Sequence, residues 1–157
     1  MFGTLEKKDI EEVLRKQIIG RIGCHAEGLT YVVPISYAYD GDCLYAHTHE
    51  GLKLNLMRKN PEVCFQVDDM PDMANWRSVI LWGIFEEITE PAQRVKAMQL
   101  LIDRNLPVIA SQTVQLTPDY PFKPLDLSKV EGVVFKIKVT KKTGRFEHYV
   151  LPSTFAS

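Results

Sequence analysis

The sequence predicts a mainly β domain: a small antiparallel barrel of about six strands with helices at its flanks. Three observations carry that prediction. Apolar and polar residues alternate in "LTYVVPISYAY", with Val33, Ile35, Tyr37 and Tyr39 on one face, the period of two that a half-buried strand requires. Asp40-Gly41 sits between two β-rich runs and is a strong hairpin signal, because both central residues of a type I′ turn need positive φ. The run "WRSVILWGIFEEI" is apolar on both faces, as in a strand with a core on one side and a covered surface on the other.

The elements follow in order. Asp9 with Glu12 predicts a capped short helix through about Lys16. "IIGRIGCHA" reads as a strand, and Glu27-Gly28 as the turn into "LTYVVPISYAY". "DCLYAHT" returns as its partner after Asp40-Gly41. The segment from Glu50 to Asn60 reads as a short helix stopped by Asn60-Pro61, since the residue before a proline is pushed out of the helical region. "EVCFQVDD" is the next strand, "MPDMAN" a loop, and "WRSVILWGIFEEI" the long strand. Pro91 to Asn105 predicts a helix: proline suits its first turn, and Val95, Met98, Leu101 and Ile102 fall at helical spacing. Residues 107–128 carry four prolines and are read as irregular, covering a site, wrapping a second subunit or forming a surface loop. "GVVFKIKVTKKTGRFEHYV" supplies the last strand. No repeat or composition break divides the chain, so residues 1–157 are read as one domain.

Composition bounds the function. The chain has 45% hydrophobic and 25% charged residues and a net charge of −1, ordinary values that argue against a nucleic-acid binder. The charged opening "MFGTLEKKDIEEVLRK" lacks the apolar core of a signal peptide, and no run reaches the ~20 apolar residues of a membrane span. Cys24, Cys43 and Cys64 are odd in number and widely spaced, which fits reduced thiols in a cytoplasmic protein.

The chemistry concentrates in "YAHTHEGLK". His47 and His49 would share a strand face and could form a metal pair, but no third ligand sits at a natural spacing. An anion site uses more of the residues. Thr48 brings a hydroxyl, Gly51 admits close backbone approach, a helix start offers free N–H groups, and Lys53 adds a charge within one turn. A solvated turn with a surface lysine remains open on these residues alone.

The order of strand, "YAHTHEGLK", short helix, "KNPEVCFQVD", loop and "WRSVILWGIFEEI" resembles the flavin-binding split-barrel superfamily of pyridoxamine 5′-phosphate oxidase. "RIGCHAEGLTYVVPISYAYDGDCLYAHTHEGLK" is similar to its nitroimidazole-resistance-type branch. The resemblance implies a six-stranded Greek-key split barrel and a homodimer with FMN in a groove between subunits. It implies that Lys53 meets the phosphate, and that His47, Thr48 and His49 line the phosphate and ribityl chain. Pro34, Ile35, Ser36 and Tyr37 match the strand that meets the flavin ring. Ser78 matches a polar flavin contact flanked by Trp76 and Arg77. Tyr37 and Trp76 also read as barrel filling, and Arg77 as a rim charge.

The C-terminal "GRFEHYV" departs from the Arg-x-His-type pair of true pyridoxamine phosphate oxidases, because Arg145 and His148 are three apart. Vitamin B6 oxidation is therefore not expected. The expected activity is reduction of a small organic acceptor, with a nicotinamide donor visiting the flavin, since no Gly-x-Gly-x-x-Gly supplies a dinucleotide site. No residue is singled out as catalytic. A flavin carrier without turnover and a haem-handling split barrel are the alternatives.

Overall fold

The computed structural model describes residues 1–104 and 126–150. The elements run β1 (Phe2–Thr4), α1 (Lys7–Lys16), β2 (Ile19–Ala26), β3 (Leu29–Ser36), β4 (Ala38–Tyr39) and β5 (Cys43–Thr48), then α2 (Leu52–Lys59), β6 (Glu62–Asp69), β7 (Trp76–Glu87), α3 (Pro91–Ile102) and β8 (Val133–Glu147). All strand pairs are antiparallel, in the order β3-β2-β6-β7-β8-β5-β4, with β1 added on β8. The predicted six strands are all present. The count rises to eight because β1 joins the sheet and because "LTYVVPISYAY" is broken at Tyr37 into β3 and β4.

That break gives the sheet its form. The hydrogen-bonded ladder is open, with β3 at one end and β4 at the other. Tyr37 alone separates these two strands, so the chain itself joins the ends of the ladder. Tyr37 N–H donates to the Ile18 carbonyl at 3.0 Å, and its hydroxyl donates to the Leu14 carbonyl at 2.7 Å. Its ring meets Phe65 edge-on at 5.3 Å in the core. The tyrosine thereby fastens α1 across the opening, where Ile10, Val13 and Leu14 bury the apolar face of that helix.

Burial alternates along β6 and β7. Val79, Leu81 and Phe85 of β7 meet Val63, Phe65 and Val67 of β6 in one core. Each such buried side chain contributes about 1.5–3 kcal/mol relative to exposure. The other face of β7 is uncovered in the single chain: Ile80, Trp82 and Ile84 are 37%, 38% and 40% exposed. The cover expected outside this strand is not supplied by the described residues.

Three boundaries differ from expectation. Asp9 is not the α1 cap: the helix starts at Lys7 behind Glu6, and Asp9 lies in its first turn, where a negative charge suits the helix dipole. α3 ends at Ile102, with Glu90 capping the N–H groups of Ala92 and Gln93, and its buried seam is Ala97, Met98 and Leu101. The two positive φ values expected at Asp40-Gly41 occur instead at Glu27 (52°) and Gly28 (78°), in the two-residue loop between Ala26 and Leu29. At the other loop only Gly41 has positive φ, and the Asp40 carboxylate accepts from the N–H groups of Asp42 and Cys43. The aspartate side chain replaces the backbone turn there.

Candidate functional site

β5 carries the chain into the His47–Lys53 turn through pairing with β8, His47 opposite Val134 and Thr48 opposite Val133. His47 is buried and Nε2 lies 2.6 Å from the Glu131 carbonyl, which it can reach only as a donor. His49 lies beyond the strand end and is exposed, with its ring edge-on to His47 at 5.6 Å. Thr48 is buried, and its hydroxyl donates to the His49 carbonyl at 3.3 Å. No group of three His, Cys, Asp or Glu side chains among the described residues could hold a metal ion.

Gly51 precedes α2 in extended conformation, and a Cβ there would meet nothing within 4 Å. No side chain caps the first turn of α2, so its leading N–H groups face this open space. Lys53 stands in that turn. It is half-buried, and among the described residues it makes no hydrogen bond or ion pair. Burial pushes its ammonium below the usual lysine pKa, with the Cys24 thiol of β2 the titratable group beside it. Glu50, next in line to neutralise the turn, is turned away: Arg58 donates to it from Nη1 at 2.7 Å and Nη2 at 2.9 Å, and also holds Glu87. An uncompensated, partly desolvated cation beside free N–H groups is suited to a phosphate.

β3 pairs along its length with β2, the strand whose Cys24 lies beside Lys53. Pro34 is exposed, whereas Ile35 and Ser36 are buried. Ser36 Oγ accepts from Arg104 Nη1, which also donates to the Tyr37 carbonyl at 2.6 Å; Arg104 Nε donates to the Leu101 carbonyl at 2.8 Å. The Tyr37 ring is committed to the core. Arg104 was not singled out from the sequence: it falls just past the apolar stripe of α3, where a basic residue reads as a dipole partner, and its partners are 67 and 68 residues away.

Trp76, Arg77 and Ser78 form a separate group. They open β7 opposite Glu147, Phe146 and Arg145, whereas the Glu87 end of β7 lies near the His47 end of β5, roughly 35 Å along the strand at ~3.3 Å per residue. One chain does not bring the two groups together. Trp76 Nε1 donates to Glu147 at 2.9 Å, Arg77 holds Asp69 at 2.7 Å and Glu12 at 3.3 Å, and Ser78 Oγ accepts from Gln66 at 3.0 Å. Trp76 and Arg77 line a cleft of about 370 Å³ with Leu5 and Phe146. Arg145 pairs with Thr4 and Ser78 within the sheet, and His148 follows β8 at the surface. The irregular stretch 107–128 falls almost wholly outside the described residues.

An antiparallel sheet left open at one seam and bridged by a single bent strand is a split barrel. The chain belongs to the pyridoxamine 5′-phosphate oxidase family, whose model matches residues 6–145. A solved structure described as an FAD-binding protein, from Mesorhizobium loti, is 30% identical, with a TM-score of 0.71 over 93% of this chain and 98% of its own. A candidate 5-nitroimidazole antibiotic resistance protein from Bacteroides thetaiotaomicron is 22% identical, with a TM-score of 0.69 over 93% and 87%. An uncharacterized protein of Rhizobium meliloti is 29% identical over 102 residues, 62% of this chain and 68% of its own. The resemblance read from "YAHTHEGLK" and its neighbours thus holds at the level of family and fold.

Proposed function

We propose that the protein is an FMN-dependent oxidoreductase that acts on a small organic acceptor as a homodimer. The observation that carries the reading is Lys53: a half-buried ammonium without a carboxylate, in the first turn of an uncapped helix, beside the open Gly51 backbone. One terminal phosphate satisfies that site. The FAD binding named for the Mesorhizobium loti protein supports a flavin as the cofactor class; the choice of FMN rests on the single ammonium at the start of α2, which suits one terminal phosphate.

The dimer is supported by two features. Ile80, Trp82 and Ile84, with Val32 at 63% exposure, form an uncovered apolar surface on the outer face of the sheet. Trp76–Ser78 also lie too far from His47–Lys53 in one chain to share a ligand, and a two-fold partner is the economical way to supply the second group. Bound flavin would supply the hydride or electron chemistry. The chain's own part is to hold the phosphate at Lys53, to present the β3 edge to the ring, and to exclude water at the subunit contact. A nicotinamide donor would visit the cofactor. No helix of the described residues is long and apolar enough to cross a membrane, and Cys24, Cys43 and Cys64 are free thiols; both fit a cytoplasmic location.

The test is the absorption spectrum of the purified protein with mass identification of the released cofactor. Flavin bands and the mass of FMN support the reading. A Soret band, or a protein that neither carries nor takes up flavin, refutes it. Oxidation of NADH or NADPH in the presence of acceptor then separates an enzyme from a carrier.

A further inference from the structure

Ser36 lies at the end of β3 and is 7% exposed. Its oxygen accepts from Arg104 Nη1, and a guanidinium has only donors to offer. The hydroxyl proton of Ser36 is therefore left to be donated, and no acceptor for it exists among the described residues. Arg104 is itself fixed by the Leu101 and Tyr37 carbonyls, so the end of α3 and the bend between β3 and β4 are tied at one point. A buried hydroxyl that accepts from a guanidinium and has no partner for its own proton is a poor way to fill a core, because an unmade buried hydrogen bond costs about 1–3 kcal/mol.

We infer that Arg104 is a positioning residue that turns the Ser36 hydroxyl into a dedicated donor for an acceptor atom on the flavin ring. The inference rests on the flavin reading above and adds the regulation of that site. Donor and cation together favour the more electron-rich form of the ring. The pair therefore binds reduced flavin more tightly than oxidised flavin and raises the reduction potential. Arg104 does this through Ser36, and its fork matters as well as its charge, since its hydrogen bonds to the described residues leave from both Nε and Nη1.

The experiment is the reduction potential of the bound flavin by dye equilibration, alongside flavin affinity by fluorescence titration, for wild type, Ser36→Ala, Arg104→Gln and the double variant. Ser36→Ala is expected to weaken reduced flavin about tenfold more than oxidised flavin, a fall in potential of about 30 mV for a two-electron couple. Arg104→Gln should shift it the same way, and the double variant little beyond the larger single change, because the two residues act through one chain of hydrogen bonds. Arg104→Lys should restore part of the shift. A purely structural role predicts loss of affinity for both redox states alike with the potential unmoved, and that result overturns the inference. If Arg104→Gln does not fold, Ser36→Ala decides alone, since it removes one hydroxyl and leaves Arg104 its two carbonyls. A wild-type protein that takes up no flavin overturns the cofactor reading itself, whereas bound flavin with an unshifted potential in Ser36→Ala overturns only this step.

Discussion

Lys53→Ala is the most direct perturbation of the phosphate turn. In wild type the ammonium is partly desolvated with no carboxylate to offset the cost. A charge-assisted contact to phosphate is worth about 1.5–3 kcal/mol. At tenfold per ~1.4 kcal/mol, the variant should bind FMN about ten- to a hundredfold more weakly. The missing carboxylate places the expectation toward the upper end, since no internal partner competes with the ligand. Riboflavin lacks the phosphate, so its affinity should be low for wild type and hardly changed by the substitution. Stability should move the other way. The Lys53 pKa is lowered from 10.5 by burial, so the unfolded chain holds its proton more firmly than the folded one. Ligand-free wild type should then gain stability from this group as pH rises through the folded value toward 10.5, and Lys53→Ala should lack that gain. Flavin fluorescence titration and melting curves measure both arms. Equal FMN affinity in wild type and variant, or a parallel loss for riboflavin, would refute the phosphate contact.

Four further outcomes are expected. Light scattering at micromolar concentration should give a dimer mass for wild type and a monomer mass for Ile84→Asp, which places a charge on the uncovered face; a wild-type monomer would count decisively against the dimer. Gly132→Ala should cost about 1–2 kcal/mol and lower Tm by roughly 2–8 °C, because its φ is +98° and the new Cβ would come within 2.6 Å of His47 Nε2; an unchanged Tm would contradict the close approach. Glu11 is partly buried, which opposes ionisation, yet hydrogen bonds from Lys142 and Tyr39 hold its pKa below 4.5. Its contribution is thus full above pH 4.5 and lost as pH falls through the folded value, so denaturant midpoints of Glu11→Gln should converge on wild type in acid; a constant gap at all pH values would exclude the linkage. Pyridoxamine 5′-phosphate should not be turned over with oxygen, given the spacing of Arg145 and His148, and robust aldehyde formation would show otherwise.

Local rules made most of the fold legible. Period-two alternation found the β3–β4 run, two-sided apolarity found β7 and β-rich composition the other long strands, and Asn60-Pro61 and Pro91 bracketed helices near their true ends. What escaped depends on partners far along the chain. Phe2–Thr4 becomes a strand only because β8 offers Arg145–Glu147 as its edge. The Tyr37 bend follows from hydrogen bonds to Ile18 and Leu14, which no window around residue 37 contains. Asp40-Gly41 has the right residues for a primed turn, but the carboxylate of Asp40 satisfied the loop first. At the candidate site the sequence singled out Lys53 and Gly51 through spacing. It did not foresee that the His47 side chain turns inward to Glu131, or that Arg104 reaches Ser36, since neither contact leaves a periodic trace.

β8 pairs with β7 from Phe135 to Glu147 and also with β5 and β1, so three strand edges wait for one late segment. A ribosome that has delivered the chain only as far as α3 has exposed β5 and β7 edges with nothing to lie between them. Such edges are sticky toward copies of themselves, and long-range pairing is slow to form. Synthesis of this protein thus carries a window of vulnerability that closes only when Val133–Glu147 leaves the exit tunnel. Truncation before that strand should yield aggregate rather than a smaller soluble domain.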